Sequence, residues 1–225
     1  MKRRALLQSF SACALAGSVL VAHADAFTDF QTAITRDDFV RMRKLLQQGM
    51  DPNTVDERGR PGLVKAMQLE SLRVAQELIK APGVRINDAS ASGETALMHA
   101  CIKGHIDVVK QLLALGARMN HPGWTPLHYV ASSDTEHSVA IAQLLLDQHA
   151  YIDAESPNKS TPLMLAAQYG SEKMVKLLLD AGADVQLRNE LNLTAVDFAR
   201  RSEREFMVKL LDTAYQATRR SKASW

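Results

Sequence analysis

The chain has 225 residues, 46% of them hydrophobic but only 5% aromatic, with 27 basic and 25 acidic side chains and a formal charge of +2. That near balance argues against the concentrated basic face that general nucleic-acid binding requires. Two cysteines, Cys13 and Cys101, are too few for a disulfide framework, and no stretch after the N-terminal one approaches the ~20 apolar residues of a membrane span.

Residues 1–24 read as a secretory signal peptide. Lys2-Arg3-Arg4 is followed by an apolar stretch to Val21 and then by Ala22-His23-Ala24, giving the charged, hydrophobic and small-residue zones in order. Cleavage is expected after Ala24, with Ala24-Asp25-Ala26 offering a second acceptable site. Arg3-Arg4-Ala5-Leu6-Leu7 also resembles the core of a twin-arginine signal, although the Sec route is the first choice. A lipoprotein signal through Ser11-Ala12-Cys13 is disfavoured by Phe10 and by the short apolar sequence ahead of Cys13. Removing residues 1–24 deletes Lys2, Arg3 and Arg4 but no acid, leaving 24 basic against 25 acidic side chains, a formal charge of −1. Cys101 then stands alone, so no intrachain disulfide can form.

Beyond residue 25 the chain reads as successive helix pairs up to 220, followed by a basic tail over 221–225. In the first, spanning about 27–58, Phe27, Phe30, Ala33 and Ile34 lead into Phe39 to Gly49. In the second, about 59–92, Pro61-Gly62-Leu63 opens the first helix and Ala81-Pro82-Gly83 ends the second. The third, about 93–122, opens on Gly93-Glu94-Thr95-Ala96-Leu97, the fourth, about 123–159, on Gly123-Trp124-Thr125-Pro126-Leu127-His128, and the fifth, about 160–192, on Ser160-Thr161-Pro162-Leu163. The sixth, about 193–218, keeps a degenerate Leu193-Thr194-Ala195-Val196 and closes on an amphipathic helix, Glu203 to Leu211, whose charges should face outward. Aligned on Leu63, Leu97, Leu127, Leu163 and Val196, the spacings are 34, 30, 36 and 33 residues.

Each repeated position has a physical task. Thr125 and Thr161 can cap a helix by accepting from an orphan amide, and Pro126 and Pro162 follow where a missing N–H costs nothing. Ala166 and Ala167 are small enough for helices to pass closely, and Cys101 occupies the position of Ala167 as a buried thiol. Leu112-Leu113, Leu145-Leu146 and Leu178-Leu179 make the apolar stripe of the second helix, which Gly116 and Gly182 terminate in a left-handed conformation.

One departure stands out. Asn87 to Thr95 and Asp153 to Thr161 each span eight positions, whereas Asn120 to Thr125 spans five. The middle hairpin finger is three residues short and leaves Trp124 at its truncated tip. The next helix pair compensates with about three extra residues around Ser132 to Ser138, so one side of the array should gain a notch and the other a projecting bulge.

These phrases, above all Thr161 to Val185 and Thr95 to Asn120, resemble ankyrin repeats, over roughly Phe27 to Arg220. The resemblance implies an all-α ankyrin-repeat solenoid of about six helix-turn-helix units with short hairpin fingers, of the exported bacterial type. It implies a non-catalytic scaffold in the periplasm, a monomer without cofactor, metal, nucleic-acid or stable membrane binding, that meets a protein partner on its concave face. That face should display Arg58, Glu94, His99, Ile102, Lys103, Trp124, Tyr129, Lys159, Tyr169 and Arg188. Trp124 is the favoured anchor because aromatic residues dominate binding hot spots, although it could instead fill the space vacated by the shortened finger. An accessory factor protecting a periplasmic enzyme, such as an oxidative-stress enzyme like catalase, is an alternative implied by the resemblance. A hydrolase or thiol enzyme using His99, Cys101 or His128, with Ser132 and Asp134 as triad candidates, is a further alternative that no nucleophile turn or oxyanion motif supports.

Overall fold

The computed structural model describes residues 25–223. The predicted signal peptide, residues 1–24, lies outside them, as do residues 224–225 of the basic tail. Among the described residues the chain is all-α, with extended structure limited to isolated bridges, Val55 with Pro61 and Ala89 with Thr95. It divides into two compact units at Arg85.

The first unit holds α1 (residues 25–36), α2 (Phe39–Gln47), α3 (Gly62–Gln68) and α4 (Leu72–Lys80). Phe30, Ala33 and Ile34 of α1 are fully buried, with Met42 and Leu78. The atypical Pro61-Gly62 opening has a steric cause: a Cβ on Gly62 would sit 2.8 Å from the Phe30 ring. α1 therefore packs onto α3 more closely than any side chain at residue 62 would allow.

The second unit alternates inner helices α5 (Ala96–Lys103), α7 (Pro126–Ala131), α9 (Pro162–Tyr169) and α11 (Ala195–Arg201) with outer helices α6 (Ile106–Ala114), α8 (Ser138–Asp147) and α10 (Glu172–Asp180). Each inner helix packs on the next inner helix, α6, α7 and α10 pack on their sequence neighbours, and α12 (Glu205–Ala223) lies against α11. The inner layer is thin because small residues line it: Ala100, Cys101, Ala131, Ala166, Ala167 and Ala199 are all fully buried. Leu112, Leu145 and Leu178 are buried in the outer layer. Thr95, Thr161 and Thr194 cap their helices, Pro126 and Pro162 take the first turn, and Gly116 and Gly182 have φ of +83° and +96°.

Two expectations need correction. Of the charges expected to face outward, Glu203, Glu205 and Lys209 are exposed, but Arg204 is half-buried: its guanidinium donates to the carbonyls of Ala166, Ala167 and Gly170, at 3.3, 3.0 and 2.6 Å, and so closes the C-terminal end of α9. The extra residues after Ser132 are exposed from Asp134 to His137, as a bulge would be, but they are tied to the preceding repeat. Ser133 donates to the Ile102 carbonyl at 2.8 Å, and Thr135 sits so close over Gly104 that a Cβ there would overlap it.

Asparagines stitch consecutive repeats together. Asn87 Nδ2 donates to the Gly116 carbonyl at 3.2 Å while Oδ1 accepts from the Arg118 amide at 2.8 Å. Asn120 repeats the pair with His149 and Tyr151, both at 2.9 Å, and within the first unit Asn53 does so with Gly83 and Arg85.

Candidate functional site

In the second unit, positions two residues beyond the aligned leucine fall on the inner-helix face: His99, Tyr129 and Leu165 in successive repeats. Together with Ile102, Trp124, His128, Ser132 and Tyr169, Tyr129 and Leu165 line a shallow groove of about 250 Å³. Tyr169 is 58% exposed, whereas Trp124, Tyr129, Ile102 and Leu165 are half-buried. Trp124 thus lies between the two roles foreseen for it, standing as a wall of the groove with one face open. Four fingers are closed by a backbone bond, from the amides of Asp56, Ser90, Ser156 and Asn189 to the carbonyls of Arg60, Glu94, Ser160 and Leu193. The shortened segment before Thr125 brings Trp124 against the inner helix instead.

His128 holds that wall in place. Its ring meets Trp124 edge-on, with centroids 5.4 Å apart at 79°. Nδ1 accepts from the Thr125 amide at 3.2 Å, which leaves the Nε2 hydrogen to donate to the Ser160 carbonyl of the next repeat at 3.0 Å. Burial lowers its pKa to about 4, so the imidazole is neutral near pH 7.

Tyr129 is fixed from behind. Its hydroxyl donates to Glu94 Oε1 at 2.9 Å, and burial, with that carboxylate, pushes the phenol above its ordinary range. His99 packs edge-on to Tyr129 with centroids 6.4 Å apart, and its Nε2 lies 3.7 Å from Glu94 Oε2. Expected on display, His99 is only 7% exposed and braces Tyr129 rather than meeting solvent. The reason is the width of the phenol ring, which covers its neighbour one repeat earlier.

The remaining expected site residues are exposed but lie outside the lining of this groove. Lys103 ends α5, and Lys159 sits at a finger tip with φ +58°. Arg188 donates to the Asn192 carbonyl at 2.8 Å, and Arg58 belongs to the first unit. Leu165 was absent from the expected set, yet its register identity with Tyr129 marks it.

The arrangement offers apolar contact rather than acid–base chemistry. Both His128 nitrogens are engaged as above, and Ser132 Oγ donates to the Tyr129 carbonyl at 2.8 Å instead of reaching a base. Cys101 is fully buried, and burial pushes its thiol well above the ordinary range. Among the described residues, no group of three or more His, Cys, Asp or Glu side chains could hold a metal ion, and no helix is long and apolar enough to cross a membrane.

The family described as ankyrin repeats, in three copies, matches residues 30–122, 64–156 and 117–189. The chain belongs to the ankyrin repeat family. It is similar to the ankyrin repeat protein YahD of Escherichia coli (strain K12), 29% identical over 194 residues that cover 69% of this chain and 96% of that protein. It is also similar to human transient receptor potential cation channel subfamily A member 1, 28% identical over 70% of this chain and 15% of that protein. Mouse ankyrin repeat and SOCS box protein 16 is 40% identical over 50% of this chain and 25% of that protein. The chain thus spans nearly all of the bacterial relative but a quarter or less of the other two. Ankyrin repeats imply a protein–protein interaction scaffold, and proteins built from them are generally non-catalytic.

Proposed function

We propose that this protein is an exported, non-catalytic scaffold of the bacterial periplasm that docks a protein partner on its concave face, anchored at Trp124. One observation carries this reading: three successive repeats contribute Ile102, Trp124, Tyr129, Leu165 and Tyr169 to one open apolar groove whose walls are held rigid by His128 and Glu94. Rigid aromatic side chains lose little freedom on binding, and a partner side chain can seat against the open part of the indole at low entropic cost. Lys103, Lys159 and Arg188 are exposed and would meet the same partner through charge. Export rests on the zones of residues 1–24, and the similarity to a bacterial protein over nearly its full length agrees with a bacterial setting. An accessory role toward a periplasmic enzyme is the same docking with an enzyme as client.

Two measurements test this reading. A photo-reactive residue at Tyr169 should cross-link a periplasmic protein that the same group at Tyr151, exposed on another part of the surface, does not. The purified partner should then bind the Trp124→Ala variant more weakly by about 2 kcal/mol, roughly thirtyfold. Equal affinity for both forms would remove the groove from the docking surface. Mass spectrometry of the periplasmic fraction should find a chain beginning at Asp25, and a chain beginning at Met1 confined to the cytosol would overturn export.

A further inference from the structure

The first unit carries a different concavity, a polar cleft of about 610 Å³ between α1 and the finger over residues 54–61. One of its cations is already spent internally. Arg60 donates through Nε to Asp56 Oδ2 at 2.8 Å and through Nη1 to Gln68 Oε1 at 2.6 Å. Burial would raise the Asp56 carboxyl, but hydrogen bonds from Arg60 and from the Arg58 amide outweigh it and hold the group below its ordinary range.

The other cations outnumber the acids that remain to balance them. Lys65 Nζ donates to Gln31 Oε1 at 2.7 Å, and burial lowers its pKa because the ammonium is partly stripped of water. Gln31 Nε2 is buried and has no hydrogen-bond partner, a costly state for an amide that can donate twice. Arg36 and Arg58 line the same cleft with exposed guanidinium groups. Against Lys65, Arg36 and Arg58 stands one acid outside the Asp56–Arg60 pair, Glu57. The cleft therefore combines an excess of positive charge with a buried amide donor beside an underhydrated ammonium. A carboxylate, with two acceptor oxygens, can accept from both at once. Because the guanidinium groups are additional to that pair, the fit is to more than one carboxylate.

We propose that this cleft binds an acidic segment of a partner protein, one carboxylate accepting from Lys65 and Gln31 and others pairing with Arg36 and Arg58. The site is separate from the Trp124 groove and stands or falls independently of it.

The probe is a fluorescent peptide of alternating Glu and Gly, blocked at both ends, titrated with the full chain and read by anisotropy at low salt. Saturable binding that weakens as salt rises is expected. Lys65→Gln should weaken it about tenfold, the loss of one charge-assisted hydrogen bond. Arg58→Ala, at an exposed position outside the core, should also weaken it and keeps the test valid if Lys65→Gln disturbs folding. Lys110→Gln, at an exposed position on α6, and Trp124→Ala should leave it unchanged. Binding of a Gln-Gly peptide as tightly as the acidic one, equal loss in Lys110→Gln, or no binding at all would overturn the proposal. So would equal binding of an acid-free peptide with a free C-terminus, which would assign the cleft to terminal carboxylates.

Discussion

His128 couples the groove to the stability of the fold. Thr95 and Thr161 meet methionine at the equivalent position, where the sulfur of Met98 or Met164 accepts from the threonine amide at 3.4 Å. In the fourth repeat an imidazole does the same and adds a bond to Ser160. An unfolded histidine titrates near 6.5 and the folded His128 near 4, so between these values the unfolded chain binds more protons and stability rises with pH. The contribution is complete above about pH 6.5, is lost as pH falls toward 4, and amounts to about 3 kcal/mol. His128→Met should flatten the fall in melting temperature between pH 7 and 4.5, and an unaltered slope would exclude His128 as its source. Asp153 has the opposite sign. It stands where Asn53, Asn87 and Asn120 stand in other repeats, and it accepts from the Asp184 amide at 3.2 Å but has no hydrogen to give the carbonyl at Gly182. Burial raises its pKa, so the folded state binds a proton more tightly and stability falls as pH rises from 3.8 through the folded value. Asp153→Asn should therefore gain about 1 kcal/mol at pH 7, with the gain shrinking toward pH 4, as read by urea denaturation. Asn87, Asn120 and Asp153 were visible in the sequence as finger boundaries. Their pairing was not, because the partner backbone lies 29 to 32 residues away along the chain and only the fold brings it alongside.

The inner helices α5, α7, α9 and α11 were legible because local chemistry specifies each start: a threonine oxygen or a proline at the first turn, a small face, and a left-handed glycine after the outer helix. Two connections were not. The residues added before α8 are exposed as expected, yet their anchoring was not foreseen: Thr135 needs the bare backbone of Gly104 beneath it. Likewise α12 was read as an outward-charged cap ending near Leu211, whereas it runs from Glu205 to Ala223 and is anchored just before its start by Arg204. Amphipathic periodicity locates the buried face of a helix, here Met207 and Leu211, but not a flanking arginine that turns back. The negative end of the α9 dipole explains the choice of a cation there. Arg204→Ala leaves the Ala167 and Gly170 carbonyls without this donor and should cost about 2 kcal/mol, with Arg204→Lys recovering only part, since a single ammonium cannot span carbonyls of three residues. Full recovery by lysine in thermal melts would show that charge alone matters.

Side-chain bonds joining one repeat to another span 29 to 38 residues, from Asn87–Gly116 to Arg204–Ala166, with Lys65–Gln31, Tyr129–Glu94 and His128–Ser160 between. Every such distance is about one repeat. This locality is why the architecture could be read from spacing alone, and why the groove could be read only in part. A repeat signature reports what each unit packs against the next, whereas the groove depends on how Tyr129 covers His99 and on where a shortened finger leaves Trp124. The same locality sets how damage should travel, since a repeat is stabilised by its own contacts and those with its neighbours. The Arg204→Ala variant should lose amide hydrogen-exchange protection in α9 to α12 first, to a degree that matches its loss of stability. Protection at Val74 to Leu78 of α4, which belongs to the first unit, should stay within about a factor of two of wild type, an effect of a few tenths of a kcal/mol. An even fall in protection from α2 to α12 would instead mean that the chain unfolds as one cooperative block, and nearest-neighbour packing would no longer account for its stability.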